Sequence, residues 1–175
     1  MIFTETKLKG LYIIEIEPVS DERGFFARAL CKNEFEKHGL CADFVQHNIS
    51  NNISKGTVRG LHYQLHPHEE IKVVRCLRGV IFDVAVDMRQ DSATYKQWVS
   101  IELSEENRKA LYVPKGFAHG YQTLLDNSTV FYLASEFYNK EFERGAYWKD
   151  TDLDIKWPII DNVIISEKDN NLQGE

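Results

Sequence analysis

The chain has 175 residues, of which 43% are hydrophobic and 27% charged, and its net charge is −6. This balance is typical of a soluble folded protein, and the length predicts a single domain over 1–175 rather than a disordered chain. The negative charge and the lack of a dense basic run argue against a nucleic-acid partner. No apolar run approaches the ~20 residues that cross a bilayer.

The cysteines and the first residues indicate a cytoplasmic protein. Cys31, Cys41 and Cys76 are odd in number and show no CxxC spacing, so we expect reduced thiols rather than a disulfide frame or a zinc site. The stretch from Met1 to Glu5 lacks the basic and apolar regions of a signal peptide. We therefore expect no membrane association.

Short segments rich in β-branched and aromatic residues recur along the chain and predict strands. In chain order they are Leu11–Ile16, Gly24–Ala29, Phe44–Ser50, Val58–Gln64, Ile71–Cys76, Val80–Asp87, Trp98–Leu103, Ala110–Val113, His119–Leu124 and Thr129–Phe137. Turn-like sequences separate them. Many short strands at this spacing predict an all-β sandwich or barrel.

Two segments predict short helices between these strands. Lys32–His38 is closed by Gly39 and has Phe35 as its apolar anchor. A second helical turn is expected around Ser104–Asn107, with Ser104 as its N-cap.

The strand Val58–Gln64 carries the first candidate chemistry. In a regular strand Arg59 and His62 point to opposite sides, because side chains alternate between faces. Gly60 is consistent with a bulge that turns Arg59 toward the same cavity as His62. A histidine beside fixed cations, with Lys72 ten residues further on, indicates proton transfer on an anionic substrate. A surface strand with scattered polar groups is the alternative.

The strand Val80–Asp87 is apolar on one face and partly acidic on the other. Its two faces are Val80, Phe82, Val84 and Val86 on one side, and Ile81, Asp83, Ala85 and Asp87 on the other. The pattern suits a barrel with a partly polar interior. We expect Asp83 and Asp87 to pair with nearby arginines, since structural ion pairs account for many such acids.

A series of motifs, taken in order, resembles the dTDP-4-dehydrorhamnose 3,5-epimerase family, a branch of the cupin jelly rolls. The matching pieces are Asp21-Glu22-Arg23-Gly24-Phe25-Phe26, Val45-Gln46-His47-Asn48-Ile49-Ser50, Arg59–Gln64, Lys72, Phe82–Arg89, Trp98, Leu103-Ser104, Val113–Gly120, Tyr132, Trp148-Lys149-Asp150, Trp157-Pro158 and Ser166-Glu167-Lys168-Asp169. They span nearly the whole chain in one register. The resemblance implies a cupin-type double-stranded β-helix, or jelly roll, with a few short helices.

The same resemblance implies a role for particular residues. His62 corresponds to the general base, Asp169 to the acid that orients it, Tyr132 to the acid on the opposite face of the sugar, and Lys72 to the cation beside the developing enolate. The substrate-binding residues would be Arg59, which contacts the diphosphate, His119 in the same pocket, Gln46, Asn48 and Tyr138 at the nucleotide, and Arg23 and Phe25 reaching across a homodimer by strand exchange. The substrate would be a nucleotide-diphosphate-linked 4-keto-6-deoxyhexose. The family uses no metal and no cofactor.

Two positions depart from the family pattern. Arg28 stands where the family usually carries a glutamate, and Glu70 stands where a glutamine is common. Both changes put the identity of the nucleotide in question, because selectivity also comes from repulsion.

Other functions remain open at this stage. A metal-dependent cupin would use His62, His66, His68 and His119, although Glu69 and Glu70 follow His68 too closely for the cupin metal motif. Within the family, the alternatives are an epimerase of one centre, C3 or C5, on a dTDP-, CDP- or GDP-linked sugar, and a 3,4-ketoisomerase. A sugar-binding jelly roll without catalysis is the last alternative. The pattern alone also allows Tyr132 to be a plain strand tyrosine, Lys72 to face solvent and His119 to be a packing residue.

Overall fold

The computed structural model describes residues 1–172, and these form a protein of short strands with two short helices. The strands are β1 Ile2–Glu5, β2 Tyr12–Glu15, β3 Val19–Asp21, β4 Gly24–Phe26, β5 Gln46–Asn52, β6 Thr57–Gln64, β7 Lys72–Arg78, β8 Val80–Asp87, β9 Trp98–Ser104, β10 Ala110–Val113, β11 Phe117–Thr123, β12 Ser128–Ala134, β13 Glu143–Gly145 and β14 Ile164–Ile165. The helices are α1 Lys32–Lys37 and α2 Glu167–Asn170. Residues 173–175 of the predicted domain lie outside the described part.

Two six-stranded sheets make up most of the molecule. Sheet I has the strand order β1-β2-β10-β7-β12-β5, and sheet II the order β13-β6-β11-β8-β9 with β14 beside β6. All pairings within these sheets are antiparallel except that of β14 with β6. Neighbours in each sheet are mostly distant in sequence, as in a jelly roll. The predicted all-β jelly-roll class is confirmed.

The inner faces of the two sheets share one apolar core. Val74 and Leu111 of sheet I pack in the same buried cluster as Ile81, Ala85 and Leu103 of sheet II. This packing follows from the alternation of side chains along each strand, which sends every second residue inward. The interior of the sandwich is therefore fixed by residues of both sheets.

Strand β8 shows the predicted division of its faces. Ile81 and Ala85 lie in the core between the sheets, whereas Val84 and Val86 lie in a second cluster on the outside of sheet II. Asp87 pairs with Arg89, as predicted. The prediction that Asp83 pairs with an arginine was wrong, because Asp83 points into the interior and contacts His119 there.

Each sheet is covered on its outer face. Phe35 of α1 packs on sheet I together with Leu40. The segment after β13 covers sheet II with Trp148 and Trp157, whose rings meet edge to face. These coverings leave the open end of the sandwich as the place where polar side chains can line a cavity.

Several local expectations need correction. The predicted helix α1 is confirmed, but Ser104–Asn107 forms a turn instead of a second helix. The Ser104 side chain still accepts a hydrogen bond from the backbone N–H of Asn107, so the capping interaction exists without a helix behind it. The sequence also failed to indicate the short strands β1, β3, β13 and β14 and the helix α2, none longer than four residues.

Two further findings concern the cysteines and the helices. All three cysteines are free thiols, as predicted. Within residues 1–172, no helix has the length and apolar character that crossing a membrane requires.

Candidate active site

A bulge in β6 places the first site residues. His62 pairs with His119 and Arg59 pairs with Tyr121, so β6 takes three steps where β11 takes two. One extra residue in a strand reverses the alternation beyond it, which brings Arg59 and His62 into one cavity. Gly60 permits this path, with φ of +107° and the space for its Cβ only 2.7 Å from the backbone of β11. The predicted bulge is confirmed.

The main cavity has a volume of about 540 Å³ and lies between the two sheets. Its lining combines residues from β6 and β11 of sheet II with residues from β7 and β12 of sheet I and from α2. The predicted residues that it brings together are Arg59, His62, Lys72, His119, Tyr132 and Asp169. Six of the residues singled out from the sequence therefore line one cavity.

His62 and Asp169 form a hydrogen-bonded pair. His62 Nε2 lies 2.8 Å from Asp169 Oδ1, and the Gly60 backbone N–H donates to Asp169 Oδ2 at 3.0 Å. Burial by itself would raise the pKa of Asp169, but the hydrogen bonds from His62 and Gly60 outweigh it, so the pKa lies below the usual value. An ionised carboxylate on Nε2–H leaves Nδ1 as the basic nitrogen of His62.

Helix α2 delivers Asp169 to this pair. The Ser166 side chain accepts from the Asp169 backbone N–H at 3.1 Å and so caps the short helix. β14 just before it pairs with β6, which ties the end of the described chain to the strand that carries His62.

Lys72 and Tyr132 face this pair from sheet I. The Lys72 ammonium lies 2.7 Å from Glu70 Oε1 and donates to the His62 carbonyl at 3.4 Å. Lys72 and Tyr132 both line the cavity, and Lys72 is buried, so the lysine does not face open solvent. The role of Tyr132 stays a prediction. Burial, followed by the negative charge of Glu70, raises the pKa of the Tyr132 phenol.

His119 is a buried partner of Asp83. His119 Nε2 lies 2.9 Å from Asp83 Oδ1, and within the described residues Asp83 Oδ2 has no hydrogen-bond partner. Burial raises the pKa of Asp83, against the opposing effects of His119 and Lys72. Of this pair, His119 lines the main cavity.

Arg59 is held by its ε nitrogen. Arg59 Nε donates to Asn52 Oδ1 at 2.7 Å, and the Asn52 amide donates in turn to the carbonyl of Ser128. This anchoring leaves the terminal nitrogens of the guanidinium for an anion. A planar fork of this kind binds two oxygens of a phosphate at once.

A second cavity of about 310 Å³ adjoins the first and shares His62, Lys72 and Tyr132 with it. Gln46, Asn48 and Tyr138, which the resemblance assigns to the nucleotide, line this second cavity. The Tyr138 backbone N–H donates to Gln46 Oε1 at 2.8 Å. Nine of the site residues predicted from the sequence therefore line one or both of these adjoining cavities.

Arg23 and Phe25 lie apart from this space. They belong to the hairpin β3–β4, where the Arg23 side chain is 83% exposed and pairs with Asp21. The guanidinium of Arg108 stacks on the Phe25 ring at 4.1 Å. Arg28 near this hairpin pairs with Glu34 at 3.5 Å. Neither Arg23 nor Phe25 lines the two cavities described above.

The histidines of the metal-cupin alternative do not converge. His66 is 85% exposed and pairs with Glu69. His68 contacts Asn139, and its ring lies tilted against the ring of Phe142. Throughout residues 1–172, no group of three or more histidine, cysteine or acidic side chains could hold a metal ion. The ligand set that this alternative needs is therefore missing from the described part of the chain.

Two charged residues of the cavities were not singled out from the sequence. Lys168 lines the main cavity and pairs with Glu143 at 2.6 Å, and Glu143 lines the second cavity and also accepts from the Tyr138 hydroxyl. Lys168 lies beside Asp169 in a motif already quoted, so its position was a usable signal. Glu143 lies on a three-residue strand with no distinctive pattern.

The chain resembles known proteins over nearly all of its length. The family model of dTDP-4-dehydrorhamnose 3,5-epimerase matches residues 5–174. A dTDP-4-dehydrorhamnose 3,5-epimerase of Methanothermobacter thermautotrophicus is 45% identical over 171 residues, which are 97% of this chain and 91% of that protein.

Solved structures agree with this similarity. The crystal structure of dTDP-4-dehydrorhamnose 3,5-epimerase from Elizabethkingia anophelis superimposes with a TM-score of 0.95 at 44% identity, covering 99% of this chain and 95% of that chain. The dTDP-6-deoxy-D-glucose-3,5-epimerase from Legionella pneumophila, in complex with dTDP-4-keto-L-rhamnose, gives 0.93 at 39% identity, covering 98% and 91%.

Proposed function

This chain belongs to the dTDP-4-dehydrorhamnose 3,5-epimerase family, and from that premise we propose how its residues carry out the reaction. The protein is an isomerase that converts dTDP-4-dehydro-6-deoxyglucose to dTDP-4-dehydrorhamnose by inverting C3 and C5. One observation carries the assignment of roles. The His62–Asp169 pair comes from sheet II and α2, whereas Tyr132 and Lys72 come from sheet I, and all four line the same cavity.

His62 is the general base in this proposal. The C4 ketone acidifies the hydrogens at C3 and C5, and Nδ1 of His62 accepts the proton from the carbon. Asp169 holds the tautomer with Nε2–H and stabilises the imidazolium that forms. A positioned base of this kind contributes a factor of ~10²–10⁴ in rate.

Tyr132 returns a proton on the opposite face of the sugar. A tyrosine phenol already carries its proton at neutral pH, and burial raises the pKa of Tyr132 further. Lys72 stabilises the negative charge that develops on the C4 oxygen, because a fixed ammonium in a partly buried site needs no reorganisation during the reaction. Base and acid on opposing sheets account for inversion, which needs proton transfer on two faces.

The diphosphate and the nucleotide of the substrate contact the other predicted site residues. Arg59 binds the diphosphate with its free terminal nitrogens, with His119 beside it in the same cavity, and Gln46, Asn48 and Tyr138 hold the nucleotide in the second cavity. The combined volume suits a nucleotide sugar, since ligand sites usually span ~300–1,000 Å³. Arg28 and Glu70 make the choice of nucleotide worth measuring, and calorimetry should show tighter binding of dTDP than of CDP, GDP or UDP.

A homodimer with strand exchange would complete the site. The hairpin β3–β4 pairs with neither large sheet, and Phe26 at its end is exposed. Exposed apolar strands of this kind are usually covered by a partner. We propose that Arg23 and Phe25 reach the nucleotide of a second copy.

Subunit mixing tests the dimer. His62→Ala and Arg23→Ala protomers should each be weakly active alone and regain activity when refolded together, because one site of the mixed dimer keeps both residues. No recovery, or a monomer by light scattering, would refute the exchange.

We also place the enzyme in the cytoplasm, where the three free thiols stay reduced.

The reaction itself is tested by NMR in D2O. With dTDP-4-keto-6-deoxyglucose, the wild-type protein should exchange the protons at C3 and C5, and His62→Ala should exchange neither. The exposed His66 offers a matched control, and His66→Ala should retain activity. Exchange at one centre would make the protein a single-centre epimerase, and no exchange would refute the proposed function.

A further inference from the structure

Glu70 places a carboxylate inside the smaller cavity, although none of the roles above requires one. Its side chain is only 12% exposed and lies just before β7, beside Lys72, whose side chain is 11% exposed. The same cavity is lined by His62 and Tyr132. A carboxylate is costly to bury unless it is paired and hydrogen-bonded, so its contacts show what it does.

Both oxygens of Glu70 are engaged. Oε1 lies 2.7 Å from the Lys72 ammonium, and Oε2 accepts from the Gln64 amide at 3.2 Å. Gln64 is itself fixed, because its amide donates to the carbonyl of His68 and its oxygen accepts from the backbone N–H of Asn139 at 2.6 Å. Glu70 is therefore held from behind and cannot follow Lys72 if that side chain moves.

The contacts of Lys72 define the direction of its remaining hydrogen bond. An ammonium has three donors. One is directed at Glu70 and a second at the His62 carbonyl, so among the described residues one donor is left for a substrate oxygen. Without Glu70, a flexible four-carbon side chain would sample several positions in the cavity.

Glu70 also adds a negative charge near Tyr132. After burial, Glu70 is the main influence that raises the pKa of the phenol, and Arg59 acts in the opposite direction. The other titratable or charged groups that line the two cavities are Lys72, Lys168, His62, His119, Tyr63, Tyr121, Tyr138, Glu143 and Asp169. Lys168 forms an ion pair with Glu143, and the Asp169 carboxylate accepts hydrogen bonds from His62 and from the Gly60 backbone N–H.

We propose that Glu70 is a positioning residue of the proton-transfer site, which anchors the Lys72 ammonium for the substrate oxygen and fixes a negative charge in the cavity that Tyr132 lines. The inference rests on the proposed function for the roles of Lys72 and Tyr132. It adds a residue at which this chain departs from the glutamine that is common in the family.

The direct test measures the ionisation of Tyr132 without substrate. Tyrosine labelled with 13C at Cζ is titrated by NMR, and the Tyr132 signal is identified by its loss in Tyr132→Phe. In Glu70→Gln the midpoint should fall by about half a pH unit or more, because a nearby like charge has been removed. Glu70→Asp keeps the charge and should restore the midpoint. Glu69→Gln, which changes the adjacent carboxylate paired with exposed His66, should leave it unchanged.

Kinetics provide the second readout. Glu70→Gln should lower kcat by about tenfold with little change in KM, because the substrate still binds while Lys72 loses its anchor. An unchanged Tyr132 midpoint, an equal shift in Glu69→Gln, or an effect confined to KM would overturn the proposal. If the wild-type protein exchanges no sugar proton, the proposed function fails, and the titration still decides whether Glu70 controls Tyr132.

Discussion

Replacing Asp169 by asparagine should reverse the tautomer of His62. The carboxylate accepts two hydrogen bonds, from His62 Nε2 and from the Gly60 backbone N–H. An amide has one oxygen, and the Gly60 N–H can only donate, so the oxygen turns to Gly60 and the NH2 group faces His62. Nε2 must then accept, which moves the ring proton to Nδ1 and removes the lone pair that takes the substrate proton.

The size of the effect follows from the loss of the base. Asp169→Asn should lower kcat by a factor of ~10²–10⁴, which corresponds to about 3–5 kcal/mol in the activation free energy. KM should stay near the wild-type value, since the substituted group lies behind His62 rather than against the substrate. The rate of product formation measures kcat, and the 15N shifts of the His62 ring report the tautomer.

A matched control separates this effect from a general disturbance. Asp152→Asn removes an exposed carboxylate that pairs with Lys96, and it should leave both readouts unchanged. A kcat of Asp169→Asn near that of the wild type would refute the reasoning, as would a large loss of kcat with the His62 tautomer unchanged.

Three further outcomes follow from the described geometry. Tyr132→Phe should keep deuterium exchange at a measurable rate but lose inversion by a factor of ~10²–10⁴, because His62 still removes the proton and returns a solvent deuteron to the same face. NMR separates exchange from product, and full inversion would contradict the role. Gly60→Ala should lower the melting temperature and activity together, since its Cβ would lie 2.7 Å from the backbone of β11, whereas Gly39→Ala meets nothing within 4 Å and should cost much less. Burial would raise the pKa of Asp87, but hydrogen bonds from Arg89, Ser92 and Thr94 lower it to about 2. The lowered pKa contributes ~1–2 kcal/mol to the unfolding free energy above pH ~4, and this contribution is lost as the pH falls toward 2. In denaturant titrations, Asp87→Asn should weaken the decrease of the unfolding free energy between pH ~4 and ~2. An unchanged decrease would contradict this role of Asp87.

Much of the fold could be predicted because the strands alternate clearly. The two faces of β8 and the bulge at Gly60 were both indicated by the sequence, and both decide what reaches the cavity. The glycine was informative because a positive φ and a close backbone approach exclude other residues at that position. The roles of His62 and Tyr132 stay predictions until the variants are measured.

The remainder depended on long-range contacts that no local pattern encodes. Asp83 lies within six residues of Arg89, yet its partner is His119, which only the pairing of β8 with β11 brings near. Ser104 has the side chain of a helix cap, but the chain turns back after β9 and forms no helix there. Glu70 was visible as a departure from the family, whereas its contact with Lys72 is evident only from the fold.

The separation of the sheets has a consequence for how such an enzyme changes. His62 and Tyr132 are mounted on opposite walls, and the gap between those walls is set by Val74, Ala85, Leu111 and their neighbours in the shared core. Sheets pack ~10 Å apart, with a spacing that follows the size of the interdigitating side chains. A methyl group added at Ala85 would therefore alter the reach of the proton donor without touching the sugar. The packing of the core therefore influences which stereoisomer the enzyme produces. Substitutions at core positions that contact no ligand can change the product.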